Sequence, residues 1–182
     1  MKFQFLILLV VSFLLLGCDE RSTEKYFYQS KDYPNFSIVE LEWNGVALSE
    51  EMTKHAEIAK QRQQKVFLQM TGEWCSPCKR LRGKTEIQPL KDAYAGTYII
   101  RLDYDEWKID MAQLGLQKAP VPSFWELGQN NQVTSYYING NGWPEITAES
   151  MAPILTAYFS GAAREYVDSA DKFLIKTKTS SQ

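Results

Sequence analysis

The chain has 182 residues, of which 45% are hydrophobic and 23% are charged, and its formal net charge at pH 7 is −2. This length suits one domain with its own hydrophobic core. With 20 basic residues against 22 acidic ones and no basic stretch, the composition argues against a nucleic-acid-binding protein.

The first 17 residues have the pattern of an export signal. Lys2 supplies a positive start, and a mostly apolar run follows from Phe3 to Leu16. This run is shorter than the roughly 20 apolar residues that a transmembrane helix needs, and it suits the core of a signal peptide. We therefore predict that residues 1–17 are a signal peptide.

The apolar run ends in Leu-Leu-Gly-Cys at residues 15–18, which resembles the lipobox of bacterial lipoproteins. The resemblance implies cleavage before Cys18, a diacylglycerol on its sulfur and an acyl group on its amine. Because each buried CH₂ contributes about 0.8 kcal/mol, such chains give stable anchoring to a bilayer. Asp19 resembles the signal that keeps enterobacterial lipoproteins in the inner membrane, which favours that membrane slightly. The alternative is an ordinary signal, cleaved or uncleaved, with a free cysteine.

Residues 18–35 are predicted to form the lipidated cysteine and a tether, because their start is polar and no sustained period follows. Tyr26, Phe27 and Tyr28 are the residues of this segment that could pack on the domain. Export places the remaining chain outside the cytosol, on the periplasmic side, where disulfides persist unless they are actively reduced.

The first strand of the domain is predicted at 36–41, where apolar and polar residues alternate. Ser49 resembles an N-cap, and a polar helix is predicted from there to about Gln64. His55 lies in this helix and is predicted to be at the solvated surface. The continuous apolar run at 66–70 predicts a strand that is buried on both faces.

The later elements are predicted from the same periodicities and from turn residues. They are a helix after Cys75 that bends or breaks at Gln88-Pro89, strands at 98–102, 122–127 and 133–138, and helices at 109–114, 147–159 and 162–175. The last two strands flank Gly-Gln-Asn-Asn at 128–131 and form a hairpin. Residues 177–182 are predicted to be a disordered tail.

Cys75 and Cys78 bracket Ser76 and Pro77 where the second predicted strand meets a helix. A cysteine at the N-terminus of a helix lies near unpaired backbone N–H groups and the positive end of the helix dipole. Both stabilise the thiolate, which is the reactive form. The position of the pair therefore favours a redox-active disulfide.

Other interpretations of the pair are open. Half of a zinc site would need about two more Cys or His ligands, and the chain has only Cys18 and His55 besides the pair. A purely structural disulfide would close a very short loop and so gain little entropic stabilisation. Copper delivery through Cys75 and Cys78 is disfavoured because no Met or His lies obviously near them. The carboxylates of residues 103, 105 and 106 are predicted to lie in a solvated loop rather than a metal site.

The element order β-α-β-α-β-α-β-β-α, with Trp-Cys-Ser-Pro-Cys at 74–78 and Val-Pro at 121–122, resembles the thioredoxin family. The resemblance covers roughly residues 36–161. It implies an α/β fold with a central mixed sheet of four to five strands flanked by helices, and an extra C-terminal helix brings the domain to 36–176. The sequences at 65–68 and 78–81 resemble periplasmic reducing domains of transmembrane electron carriers.

The resemblance also implies roles for the residues of the motif. Cys75 is the nucleophile that attacks a partner disulfide, and Cys78 resolves the mixed disulfide. The first cysteine of such a loop is also the one expected nearer to solvent and to the helix N-terminus. Trp74 covers one side of the site, and Pro77 limits the freedom of the loop between the sulfurs.

Four further positions match the family pattern or depart from it. Val121 and Pro122 match the residue and the cis-proline that flank the disulfide, where the backbone of residue 121 pairs with a substrate strand. The buried acid of the family falls at Gln69, and Arg101 falls where a lysine usually pairs with that acid. Glutamine cannot act as a base, so this departure obscures the direction of electron flow.

Together these features predict a membrane-anchored extracytoplasmic thiol–disulfide oxidoreductase that uses no metal or other cofactor. A reductase is favoured over an oxidant. The predicted partners are protein disulfide substrates and an upstream electron donor or acceptor, such as a membrane thiol carrier, with no nucleic acid. The alternatives are a thiol oxidant and a non-catalytic thioredoxin-like binding module with a structural disulfide.

Overall fold

The computed structural model describes residues 24–143 and 145–163. The strands are β1 (Glu24–Gln29), β2 (Ser37–Leu41), β3 (Lys65–Thr71), β4 (Thr97–Asp103), β5 (Ser123–Leu127) and β6 (Val133–Asn139). The α-helices are α1 (Leu48–Gln61), α2 (Ser76–Arg82), α3 (Leu90–Ala93), α4 (Lys108–Gln113) and α5 (Ala148–Ser160). Single 3₁₀ turns lie at Leu116–Lys118, Gln129–Asn131 and Gly140–Gly142.

The strands form one mixed sheet in the order β1-β2-β4-β3-β5-β6. β2, β4 and β3 are parallel, because helical crossovers connect them, whereas β5 runs antiparallel to β3 and forms a hairpin with β6. This arrangement confirms the predicted α/β fold. The carboxyl ends of β2, β3 and β4 lie at one edge of the sheet, and the chain turns from β3 into Cys75 at that edge.

The sheet has six strands, whereas four to five were predicted. The difference arises because the residues of β1 were assigned to the tether. β1 pairs antiparallel with β2, and the register shifts between Tyr26, opposite Val39, and Tyr28, opposite Ile38. The extra residue is Phe27, and such a bulge breaks the period-2 pattern by which a strand is recognised in sequence. The Tyr28 ring stacks on Phe36 with centroids 3.9 Å apart. These contacts extend the domain to include residues 24–29.

The two faces of the sheet carry separate buried clusters. α2, α3 and α5 cover one face, on which Ile38, Phe67 and Ile99 project from adjacent strands. α1 and α4 cover the other face, where the neighbouring strand residues, such as Val39 and Leu68, project. The alternation follows from the period of two in a strand, and it assigns the helix after the cysteines to the first face.

His55 is fully buried, and its predicted surface position was wrong. α1 turns this residue toward the sheet, where His55 Nδ1 lies 2.8 Å from the Tyr98 hydroxyl and Nε2 lies 3.8 Å from Glu51 Oε2. A buried tyrosine on β4 thus binds a side chain that the polar helix sequence places in water, and a buried carboxylate lies one turn away along α1.

Several predictions concern residues outside those described: the signal peptide 1–17, Cys18, most of the helix at 162–175 and the tail 177–182. In the part of the chain that the structure covers, none of the helices combines the length and the apolar character needed to cross a membrane.

Tyr94 leads to a prediction about alkaline stability. It is fully buried, and desolvation raises the pKa of Tyr94 to about 12 despite the opposing charge of Arg101. Between about pH 10 and 12 the unfolded chain loses this proton while the folded chain keeps it, so the free energy of unfolding falls as the pH rises, by at most about 2–3 kcal/mol. Tyr94→Phe should remove the part of this decrease in the free energy of unfolding that comes from Tyr94. Urea unfolding of both proteins across this pH range is the measurement, and parallel curves would contradict the prediction.

Candidate active site

A disulfide joins Cys75 to Cys78 at the start of α2, with an S–S distance of 2.03 Å and a Cα–Cα distance of 5.2 Å. Cys75 is the N-cap of α2, and the backbone N–H of Cys78 donates a hydrogen bond of 3.1 Å to its sulfur. Pro77 lies in the first turn, where a missing N–H costs no helical hydrogen bond. The helix start therefore offers a backbone donor to the sulfur of Cys75, which stabilises a thiolate there after reduction.

Both cysteines are buried, with 3% of Cys75 and 2% of Cys78 exposed. Exposure thus does not separate the two in the oxidised state, contrary to the expectation that Cys75 lies nearer to solvent. What separates them is their place in the helix: Cys75 is the cap that receives the hydrogen bond, and Cys78 is inside the first turn.

Trp74 is 62% exposed beside the buried disulfide. Its indole N–H donates a 2.8 Å hydrogen bond to Asp105 Oδ2, and its ring meets Tyr104 edge-on at 6.3 Å. A Cβ atom on Gly72 would lie 3.0 Å from the indole ring, so a larger residue at this position would push the ring aside. The indole is therefore an exposed apolar surface in a fixed orientation next to the sulfurs.

Val121 and Pro122 are joined by a cis peptide bond. The antiparallel ladder between β3 and β5 ends at the pair Met70 and Ser123, so this dipeptide lies at the edge where β3 leads to Cys75. The Gly140 N–H donates a 2.9 Å hydrogen bond to the Pro122 carbonyl, and a Cβ atom on Gly140 would lie 3.2 Å from Pro122 Cδ. The topology brings both parts of the sequence motif to one edge of the sheet.

Gln69 and Arg101 face each other in the register of β3 and β4, and the Nε of Arg101 donates a 2.9 Å hydrogen bond to Gln69 Oε1. Only 1% of Gln69 and 2% of Arg101 are exposed. Burial lowers the pKa of Arg101, and the carboxylate of Glu40 acts in the opposite direction.

Glu40 is a residue of this row that sequence reasoning missed. It faces Arg101 in the register of β2 and β4, and Nη1 of Arg101 donates a hydrogen bond to its Oε1. Arg82 of α2 lies on the other side, with 3.5 Å between its Nε and the same oxygen. The available signal was a glutamate at a position of β2 whose neighbours along the strand are buried.

The carboxylates of the acidic loop after β4 accept hydrogen bonds from this loop and from the segment that leads to Cys75. Asp103 accepts hydrogen bonds from the N–H groups of Glu73 at 3.2 Å and Asp105 at 2.9 Å. Within residues 24–143 and 145–163, no group of three or more His, Cys, Asp or Glu is arranged to hold a metal ion. The loop instead fixes the approach to Cys75 from the side of Trp74.

Comparisons place these features among known proteins. The family model described as "Thioredoxin" matches residues 46–141, which include both cysteines and the cis-proline. No curated protein sequence matches the chain significantly.

Three of the similar solved structures have the following sequence identities, coverages and TM-scores. A disulphide isomerase from Xylella fastidiosa Temecula1 is 17% identical, over 68% of this chain and 97% of that one, with a TM-score of 0.47. Thioredoxin from Plasmodium falciparum is 18% identical over 65% and 85%, with a TM-score of 0.43. The short form of thioredoxin f from spinach chloroplast is 22% identical over 66% and 92%, also with 0.43.

Proposed function

Because the chain belongs to the thioredoxin family, we propose that it is a membrane-anchored extracytoplasmic oxidoreductase that reduces disulfides of partner proteins through Cys75 and Cys78. The observation that carries the proposal is the closed disulfide at the start of α2, in which the sulfur of Cys75 caps the helix and accepts the N–H of Cys78.

The proposed reaction passes two electrons in two exchange steps. The Cys75 thiolate attacks one sulfur of the partner disulfide, which forms a mixed disulfide and releases the other partner sulfur as a thiolate. Cys78 then loses its proton and attacks the Cys75 sulfur, which closes the intramolecular disulfide and releases the second partner thiolate. Protons from water neutralise the released thiolates. A donor dithiol must return the two electrons before the next cycle.

Trp74 and Val121 support recognition of an extended partner segment. The exposed indole supplies apolar contact on one side of the disulfide, and Val121 lies just beyond the end of the β3–β5 ladder. A peptide that pairs with the backbone of residue 121 would place its own disulfide beside Cys75, since added strands use main-chain hydrogen bonds.

The direction of electron transfer is proposed from the charges around Cys75 and Cys78. In the described part of the chain the Cys75 sulfur accepts a single hydrogen bond, and the buried charge of Arg101 is paired with Glu40. Stabilisation of the thiolate is therefore modest. Since strong stabilisation of the reduced form makes an oxidant, a modest one supports a reductase.

The location is proposed from Cys18. Lipid on this residue would hold the domain at the periplasmic side of a membrane, where disulfides are not reduced spontaneously. A reductase there needs a continuing supply of electrons, which supports a membrane thiol carrier as the donor.

The reduction potential of the full chain, purified in detergent and equilibrated with thiol redox buffers, tests the proposal. We expect a reduction potential of about −270 mV together with reduction of insulin disulfides. A reduction potential of about −120 mV would indicate an oxidant. A disulfide that exchanges with no buffer thiol while the protein is folded would indicate a structural bond in a binding module.

A further inference from the structure

The guanidinium of Arg101 is a buried cation with an incomplete set of partners. Nε binds Gln69 and Nη1 binds Glu40, but Nη2 has no hydrogen-bond partner among the described residues. The Phe27 ring, placed by the bulge of β1, lies 4.8 Å from the guanidinium carbon. Glu40 is therefore the carboxylate that balances this charge directly.

The Glu40–Arg101 pair lies beneath the side of α2 that carries Cys78. Arg82 contacts Glu40 at 3.5 Å, and Cys78 lies four residues before Arg82, on the same side of the helix. Leu81, next to Arg82, belongs to the buried cluster formed by that face of the sheet. Charge at the pair thus acts on a thiolate at the start of this helix, with the Arg101 side chain buried and the Glu40 side chain 26% exposed.

We propose that Glu40 and Arg101 are positioning residues that set the redox equilibrium of the Cys75–Cys78 disulfide. The inference rests on the proposed function, since it requires that the bond open and close. Two glutathione thiols reduce the bond to two cysteine sulfurs and become one glutathione disulfide. Where one cysteine remains a thiolate, one proton is released and a negative charge stays at α2.

The sign of each effect follows from this charge. The guanidinium of Arg101 attracts the thiolate and so favours the reduced form, and the Glu40 carboxylate cancels part of that attraction. Removing the carboxylate should favour the reduced form, and removing the guanidinium should favour the disulfide. A role confined to folding would not give opposite shifts in the two variants.

Glu40→Gln is the main test, because the glutamine keeps an oxygen that can accept the Arg101 hydrogen bond. We expect the equilibrium constant for reduction by glutathione to rise about tenfold, which corresponds to about 30 mV. Glu42→Gln is the matched control: Glu42 is exposed, lines the same cavity of about 200 Å³ and makes no ion pair with Arg101 in the described structure. Its constant should change by less than about twofold, since exposed charges are screened.

Arg101→Met should shift the constant in the opposite direction, and Glu40→Gln combined with Arg101→Met should return it close to the wild-type value. Should Arg101→Met not fold, the double variant, which leaves no unpaired carboxylate, takes its place. Circular dichroism of both redox states verifies folding. Equal constants for wild type, Glu40→Gln and Glu42→Gln would overturn the inference, whereas a wild-type disulfide that never equilibrates with glutathione would overturn the proposed function instead.

Discussion

Cells that produce the Cys78→Ala variant should accumulate mixed disulfides between Cys75 and partner proteins, and cells that produce Cys75→Ala should not. The reason is the order of attack. Cys75 caps the helix and receives the backbone hydrogen bond, so its thiolate forms the first bond, and without Cys78 nothing resolves that bond. Reduction of insulin disulfides should fall to the uncatalysed rate in both variants, because turnover needs both sulfurs.

Non-reducing gels followed by mass spectrometry of the trapped species would measure this outcome. The variant that lacks both cysteines is the control for bonds made by Cys18. Equal trapping by the two single variants would contradict the assigned order, and trapping by Cys75→Ala alone would reverse the roles.

Replacement of Cys18 by alanine should release the protein from membranes or leave its precursor uncut. The proposed acyl chains are the attachment, and each buried CH₂ contributes about 0.8 kcal/mol to it, so their loss should move nearly all of the protein out of the membrane fraction or block its maturation. Labelling with a radioactive fatty acid, together with fractionation of the cells, is the measurement.

The Cys75→Ala variant serves as the control for labelling, because it retains Cys18 and should carry the fatty acid as the wild type does. A mature wild-type protein that is free of membranes and takes up no label would end the lipoprotein hypothesis. It would leave the redox chemistry of the disulfide untouched.

The central strands could be predicted because their composition is distinctive. The apolar runs at 66–70 and 98–102 correspond to β3 and β4, which are buried on both faces of the sheet. β1 could not be found in the same way, since Phe27 at the bulge interrupts its alternation. Nor could the burial of His55, because its partner Tyr98 comes from a strand 43 residues away.

The residues of the candidate site also include some that could be predicted from the sequence and some that could not. The cysteines form a local motif, and the cis bond before Pro122 was implied by the family pattern. Gln69 and Arg101 were paired by the same pattern, and they are hydrogen bonded. Glu40 could not be predicted as part of the site, because its contact with Arg101 depends on β2 being next to β4. The residue pattern of a single strand does not determine the order of strands in a sheet.

The direction of β1 has a consequence for how the domain is presented. Because β1 runs antiparallel to β2, Glu24 lies opposite Leu41, at the carboxyl end of the parallel strands. The chain therefore enters the fold at the edge that carries Cys75. If Cys18 is the lipid anchor, only five residues separate it from Glu24, a span of at most about 20 Å. Such a short tether would turn the disulfide toward the bilayer, and its first partners would be thiols and disulfides at the membrane surface.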